Sequence, residues 1–233
     1  MGARYGTGVM LGPDETPAES WHEQTWDEFT ASVLSAAGIP DGRPILVAVD
    51  GRGGGGKTTL AEQLLRRVPG SAIVHTDDVA WWHSRFGWSD LMADGILKPL
   101  HAGEPAHYRP PAWEERGRDG HIEVPAGCPV VFVEGVGASR RDLAEYFDVA
   151  IWVQSDFVEA ERRGLTRDIR LHGHDEDAAK REWDEWMAEE IPFLSEDRPW
   201  ERAAFLVLGT GDSPPGKVKT SAKAVPAEAG PAS

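Results

Sequence analysis

The sequence contains very little cysteine and no long apolar run. Cys128 is the single cysteine in 233 residues, so an internal disulfide is excluded and a reducing, cytoplasmic environment is the one we expect. No apolar stretch reaches the roughly 18 residues that a membrane-spanning helix requires, so the sequence predicts no such helix. The first twenty residues lack an apolar core behind a basic end, and we therefore expect no signal peptide.

Basic residues are also scarce. Lysine and arginine number 24 against 39 aspartates and glutamates, which gives a net charge of -15. An acidic chain lacks the broad basic surface that attracts polymeric nucleic acid or a membrane, so we expect neither as a partner. A local cluster of arginines can still bind the phosphates of a small molecule within an acidic protein.

Tryptophan, by contrast, is abundant. The chain has 10 tryptophans, and Trp81, Trp82 and Trp88 lie close together in the sequence. Such side chains either pack against the core or form a wall for a flat apolar substrate, and the sequence leaves both interpretations open. Apolar residues make up 40% of the chain and charged residues 27%, which is the composition of a soluble globular protein.

The order of apolar runs predicts one α/β domain over residues 21–210. The segment 1–20 is rich in glycine, proline and acidic residues and is predicted to be disordered. The segment 211–233, rich in proline, alanine and lysine, is predicted to be a flexible tail. Residues 77–123 have few regular signals apart from a predicted helix near 89–97, and we interpret them as a substrate-side insertion.

Short apolar runs alternate with helical periodicity along this domain. Five runs predict buried strands, at residues 44–49, 72–75, 129–133, 148–153 and 205–208. Helices are predicted over residues 19–37, 58–68, 156–171 and 175–191. This alternation is typical of a parallel five-stranded sheet with helices on both faces. Ligands of such sheets bind beyond the carboxyl ends of the strands.

The first predicted strand leads into a phosphate-binding motif. Residues 51–58, GRGGGGKT, match the pattern G-x-x-x-x-G-K-T between a strand and a helix. Glycines let the loop turn its N–H groups toward an anion, Lys57 can reach the β- and γ-phosphates, and Thr58 can ligate Mg²⁺. A flexible glycine loop followed by chance by lysine is the alternative. The predicted nucleotide-binding residues are Gly51, Gly53, Gly54, Gly55, Gly56, Lys57, Thr58 and Thr59.

Carboxylates follow the next two predicted strands. Asp77 and Asp78 come directly after the strand 72–75, where a carboxylate can accept a proton from an attacking hydroxyl. The alternative is an aspartate pair that caps a helix. Glu134 ends the strand 129–133, where a carboxylate can reach Mg²⁺ through water; the alternative is a solvated loop acid.

The densest basic stretch lies in the helix predicted over residues 156–171. Arg163, Arg167 and Arg170 follow an i, i+4, i+7 spacing and share one face. Arginines so placed can neutralise the charge of a transferred phosphoryl group. A solvated face paired with neighbouring acids is the alternative.

Together, GRGGGGKT, the TDD after the second strand, VVFVEG and RRGLTRD resemble the P-loop kinases of the uridine kinase and phosphoribulokinase type. The resemblance implies a P-loop NTPase fold, ATP and Mg²⁺, and Asp77 as the group that activates the acceptor hydroxyl. It also implies a mobile arginine-rich lid over about residues 161–175, with Arg163 and Arg167 as catalytic arginines. The chain continues after Asp78 with VAWW, where typical uridine kinases have a Ser/Asp-Phe-Tyr run, so the acceptor stays open.

These features favour an ATP-dependent kinase that phosphorylates a hydroxyl of a small metabolite. The resemblance makes a nucleoside the leading acceptor, and a sugar, a vitamin precursor or a hydroxylated antibiotic stays open. The insertion is expected to hold the acceptor, with Asp78, Trp81, Tyr108 and Arg109 as substrate-binding residues. The sequence carries no signal for an oligomeric state.

Two other functions are alternatives to a small-metabolite kinase. A nucleotide-dependent switch uses the same loop with little transfer activity. A nucleoside-monophosphate kinase would need cations near the insertion for a second phosphate, and the candidates are Arg85, Arg109, Arg116 and Arg118.

Overall fold

The fold is organised around a central sheet of seven strands, with a separate two-stranded hairpin in the insertion. The computed structural model describes residues 9–173, 175–211 and 213–222. The strands are β1 (His22–Thr25), β2 (Ile45–Gly51), β3 (Ala72–His75), β4 (Ala106–Tyr108), β5 (Ile122–Val124), β6 (Val130–Glu134), β7 (Val149–Gln154), β8 (Phe205–Leu208) and β9 (Lys217–Ala222).

The strand order in the sheet is β1-β9-β8-β7-β2-β6-β3. Strands β8, β7, β2, β6 and β3 are parallel, which confirms the α/β class and the five predicted strands. The predicted number of strands was wrong, because β9 pairs antiparallel with β8, and β1 pairs antiparallel with β9. Both added strands are short and polar, so their sequences lack the apolar run that identifies a buried strand.

In the part of the chain that the structure describes, eight α-helices connect or flank these strands. They are α1 (Trp26–Ala37), α2 (Lys57–Leu65), α3 (Thr76–Ala80), α4 (Ser89–Met92), α5 (Lys98–His101), α6 (Pro111–Glu115), α7 (Phe157–His172) and α8 (Glu176–Asp197). Asp156 caps α7 and Asp175 caps α8, each by accepting backbone N–H groups of the first turn. Helix α8 continues past its predicted end and contains Pro192.

The core lies on both faces of the sheet. On one face, Phe29 of α1 and Leu60 of α2 pack against strand residues such as Val49. On the other face, the insertion packs Trp88 and Met92, from around α4, against the sheet. A turn of π-helix (Ala93–Leu97) joins α4 to α5 within this packing. The insertion therefore forms a core together with one face of the sheet, which its irregular sequence did not predict.

Two of the predicted domain boundaries require correction. Segment 1–20 was predicted to be disordered, but Leu11 is buried and the Met10 N–H donates to Asp156 at 2.7 Å. Segment 211–233 was predicted to be a flexible tail, but β9 lies within it. Both segments find partners on distant parts of the chain, which local composition does not reveal. Residues 1–8, 174, 212 and 223–233, including one position of the predicted lid, lie outside the described residues.

None of the helices in the described ranges combines the length and apolar character needed to cross a membrane.

Candidate functional site

The glycine-rich loop connects β2 to α2 at the carboxyl edge of the sheet. Gly54 and Gly56 have φ values of +70° and +100°, which favour glycine. A Cβ atom at Gly54 would collide with the carbonyl oxygen of Ala160 in α7, so the loop and this helix pack backbone to backbone. The Lys57 Nζ donates to the carbonyl oxygen of Arg52 at 2.9 Å, which holds the lysine inside the loop.

Thr58, in the first turn of α2, meets Glu134 at the end of β6. The Thr58 hydroxyl donates to Glu134 Oε1 at 3.2 Å, and His75 Nδ1 shares that oxygen at 2.5 Å. A hydroxyl and a carboxylate are hard oxygen ligands, so this pair fits Mg²⁺, which binds few protein groups and keeps waters or phosphates as further ligands. Within the described ranges, no group of three or more His, Cys, Asp or Glu side chains forms a metal cluster.

The pKa values of His75 and Glu134 are shifted in opposite directions by their contact. Burial raises the pKa of Glu134, but the hydrogen bond from His75 and the charge of Lys57 outweigh burial, so the pKa lies below its usual value. The same hydrogen bond raises the pKa of His75, against a smaller effect of burial. The contact therefore favours a carboxylate beside a protonated imidazole.

Asp77 lies in the first turn of α3, directly after β3. Its side chain opens into a cavity of about 380 Å³ that also contains the phosphate-binding loop. The surrounding protein removes part of its hydration and raises the pKa of its carboxyl, while the charge of Lys57 opposes this shift and that of Glu134 adds to it. Asp77 is therefore a stronger base than an ordinary surface aspartate.

The cavity brings together residues that are far apart in the sequence. Lys57, Thr58, Asp77, Glu134 and Arg167, all predicted site residues, line it together with Gly53 and Gly54. The remaining lining residues are Arg85, Gly135, Val136, Asp168, Glu182, Trp183, Glu185 and Trp186. Nucleotide-binding, metal-binding and proton-accepting candidates thus share one space.

Arg163 does not line the cavity that contains Arg167. Its Nε donates to Glu159 at 2.8 Å and its Nη1 donates to the Gly209 carbonyl oxygen at 2.9 Å. With Arg162, Thr166 and Arg170 it lines a groove on α7, of about 340 Å³. Arg167 lines both this groove and the cavity, and it is the predicted lid arginine that reaches Asp77 electrostatically.

The four predicted substrate-binding residues lie away from the cavity. Asp78 accepts from Arg118 at 2.6 Å, and Arg109 donates to the backbone of Arg118 at 2.9 Å. Trp81 and Tyr108 pack against the core of the insertion. In this arrangement the four residues contact other parts of the insertion, and their contact with an acceptor stays a prediction.

A buried charge network centred on Arg52 of the phosphate-binding loop was not predicted from the sequence. Arg52 donates through Nε to Glu15 Oε2 at 3.1 Å, and its Nη1 lies 3.7 Å from Glu190 Oε1. All three side chains are at most 2% exposed. Glu15 also accepts from the Trp152 indole at 2.7 Å and from Gln154 at 3.1 Å. The N-terminal segment is thereby fixed to the phosphate-binding loop.

Glu190 connects helix α8 to the same loop. Its Oε2 accepts from the Gly53 N–H at 2.9 Å and from the Trp186 indole at 2.6 Å. One signal in the sequence points to this residue: Glu190 occupies the same helical face as Trp183, Trp186 and Leu194, where an acid must be buried. A buried carboxylate needs hydrogen-bond partners, and the apolar face around Glu190 is the local signal that it has them.

Asp50, the residue before the loop, is a second buried acid that was missed. It accepts from the Gly51 and Gly137 N–H groups at 2.7 and 2.8 Å, and from the N–H and hydroxyl of Ser139 at 2.9 and 2.8 Å. Burial raises the pKa of Asp50, although these hydrogen bonds oppose the shift. The carboxylate ties the phosphate-binding loop to the segment after β6.

Comparison with solved structures supports the fold. A protein from Silicibacter sp. TM1040 described as a "putative fructose transport system kinase" superposes with a TM-score of 0.54 at 22% identity, over 77% of this chain and 95% of its own. A Bacillus stearothermophilus protein described as a "Possible Uridine Kinase" gives a TM-score of 0.45 at 18% identity, over 78% and 96%. No protein-family model and no curated protein matches the sequence. The chain therefore shares the fold of the Silicibacter protein.

Proposed function

We propose that the protein is an ATP-dependent kinase that transfers the γ-phosphoryl group of ATP to a hydroxyl of a small metabolite. One observation carries the proposal: a single cavity contains the loop lysine, the Thr58–Glu134 pair, Asp77 and Arg167. Phosphoryl transfer depends on positioning and charge stabilisation, and these residues supply both.

Each residue has a defined task in this proposal. The loop N–H groups and Lys57 bind the β- and γ-phosphates. Thr58 and Glu134 hold Mg²⁺, which when bound neutralises phosphate charge. Arg167 stabilises charge on the transferring group, and Asp168 accepts from Arg167 Nε at 2.8 Å and orients it.

Asp77 acts on the acceptor. Its carboxylate takes the proton of the acceptor hydroxyl as that oxygen forms a bond to the γ-phosphorus. The bond from the γ-phosphorus to the β,γ-bridging oxygen breaks, and ADP leaves with the electron pair. The proton resides on Asp77 until solvent removes it.

The acceptor class rests on two sources. The resemblance in the sequence favours a nucleoside, and the description of the Silicibacter protein adds a sugar. A nucleotide-dependent switch is the competing function, because it would use the same loop without an acceptor.

Substitution of Asp77 by asparagine separates these functions. We expect Asp77→Asn to lower transfer by about 10²–10⁴-fold, because the proton acceptor is lost, and to leave the affinity for Mg-ATP nearly unchanged. Asp78→Asn is the matched control, because Asp78 is the adjacent residue and pairs with Arg118 outside the cavity. Full transfer by Asp77→Asn would show that another group is the base.

A further inference from the structure

The acceptor side of the cavity is formed largely by helix α8. We call Arg85, Val136, Trp183, Glu185 and Trp186 the acceptor wall, since they line the cavity beyond the residues assigned to ATP and Mg²⁺. Glu182 also lines this side. Asp77 lines the same cavity as the wall and the phosphate-binding loop, so an acceptor hydroxyl that reaches Asp77 occupies a space bounded by these side chains.

Arg85 is the cation of the acceptor wall, and acids already surround it. Its Nη1 donates to Glu189 Oε1 at 2.7 Å and to the Glu185 carbonyl oxygen at 3.1 Å, and its Nη2 donates to Glu185 Oε2 at 3.3 Å. Two carboxylates therefore neutralise one guanidinium. A phosphate on the acceptor would have to compete with both of them and would face like charge.

The other arginines proposed for a second phosphate are placed elsewhere. Arg118 pairs with Asp78 at 2.6 Å, and Arg109 donates to the backbone of Arg118. The Arg116 guanidinium lies 3.9 Å from the ring centre of Trp82. None of the three lines the cavity. Among the described residues that line the cavity, the cations other than Arg85 are Lys57 and Arg167, which serve the transferred phosphate.

Trp186 presents ring surface rather than a donor to the cavity, and Trp183 is buried beside it. The Trp186 indole N–H is bound to Glu190, and the Trp186 ring packs on Phe86 with centroids 5.4 Å apart. Trp183 is 6% exposed and packs against Gly164 of α7. Apolar ring surface next to carboxylate acceptors suits a compound with C–H faces and several hydroxyl groups.

We propose that the acceptor is an uncharged polyhydroxylated ring compound, a sugar or an unphosphorylated nucleoside, held against α8. This inference rests on the proposed kinase function, because it assigns the second substrate of the same cavity. Its hydroxyl groups donate to the carboxylates of Glu185 and Glu182, its apolar face rests on the Trp186 ring, and the reacting hydroxyl meets Asp77.

The test compares pairs of compounds that differ only by a phosphate. Calorimetry with the full chain and a non-hydrolysable Mg-ATP analogue would measure binding of fructose against fructose 6-phosphate and of uridine against UMP, within a wider panel of such pairs. We expect the uncharged member of the accepted pair to bind about tenfold or more tightly than its phosphate ester. Equal or tighter binding of the ester, or binding of no uncharged compound in the panel, would overturn the proposal.

A variant with two neutralised acids should change the preference for the uncharged compound over its phosphate ester. Glu185→Gln combined with Glu189→Gln releases Arg85, so we expect affinity for the phosphate ester to rise about tenfold relative to the uncharged member. Glu196→Gln, the same change at an exposed position of α8, is the control and should leave the ratio unchanged. An unchanged ratio in the double variant would contradict the role of the acids.

Binding and transfer are separate readouts. If uncharged compounds bind but receive no phosphate from ATP, the proposed kinase activity is wrong and the proposed class of ligand is supported. If phosphate esters bind well and are phosphorylated, the proposed uncharged acceptor class is wrong and the proposed kinase activity is supported.

Discussion

One carboxylate oxygen of Glu190 accepts both the Gly53 amide at 2.9 Å and the Trp186 indole at 2.6 Å. Gly53 belongs to the phosphate-binding loop, and Trp186 belongs to the acceptor wall. A single buried residue thereby fixes the position of the two halves of the cavity relative to each other. Arg52, which lies beside Glu190, supplies the compensating charge.

Removing this carboxylate should weaken both halves of the site. In Glu190→Ala, two N–H donors lose their acceptor, and each unsatisfied buried donor costs about 1–3 kcal/mol. We expect nucleotide affinity to fall by about tenfold, and acceptor affinity to fall with it. Calorimetry on both ligands checks this, with Glu196→Ala as the control on the same helix. Loss confined to one ligand would contradict the shared role.

Glu15 should be important for stability despite its distance from the cavity. Glu15→Ala leaves Arg52 facing Glu190 alone and removes the acceptor of the Trp152 indole, and breaking a buried pair of this kind costs about 3–5 kcal/mol. Urea denaturation measures the change in free energy of unfolding. Glu19→Ala removes an exposed acid from the same segment and should have little effect. Equal stability of both variants would mean that the segment does not hold the loop.

Gly164 should be required for the packing of α7 on α8. A Cβ atom at this position would collide with the Trp183 ring, so we expect Gly164→Ala to destabilise the protein by about 1–3 kcal/mol. Trp183→Leu removes the obstructing atoms, and the double variant should be less destabilised than the sum of the single changes. Strict additivity in urea denaturation would show that the two residues do not meet.

The His75–Glu134 contact predicts a dependence of stability on pH. The pKa of His75 is raised by Glu134, so its contribution is complete below its ordinary value of 6.5 and is lost as the pH rises through the folded value. The pKa of Glu134 is lowered, so its contribution is present above 4.5 and is lost as the pH falls through the folded value. The contact stabilises most between these ordinary values.

His75→Asn keeps a donor at the Nδ1 position but removes the titration. Urea denaturation with a metal chelator present, at about pH 5.5 and pH 8.5, should show a smaller alkaline loss of stability in this variant than in the natural protein. Identical losses would assign the effect to other groups.

Much of the fold could be predicted from the sequence because the patterns that identify its elements are local. Apolar runs identify β2, β3, β6, β7 and β8, and the glycine motif identifies the turn that follows β2. Strands β1 and β9 were missed because their sequences are polar or alternating and their partners are distant in the sequence.

The site was predictable only in part, for a similar reason. Lys57, Thr58, Asp77 and Glu134 follow strands whose carboxyl ends meet at one edge of the sheet, so topology alone brings them together. Trp186 and Glu190 depend on how α8 packs over the loop, and no local pattern specifies that packing. The polar and aromatic residues of the insertion contact one another, and their sequence pattern does not show which of them face the cavity.

The central claim is that this cavity transfers phosphate, and transfer of labelled γ-phosphate from Mg-ATP to a panel of sugars, nucleosides and other hydroxylated metabolites tests it most directly. Lys57→Ala serves as the blank, because it removes the loop cation that contacts the phosphates. We expect a labelled product with the natural protein that is absent from the blank. Tight Mg-ATP binding without product from any acceptor, or equal product in the blank, would contradict the account.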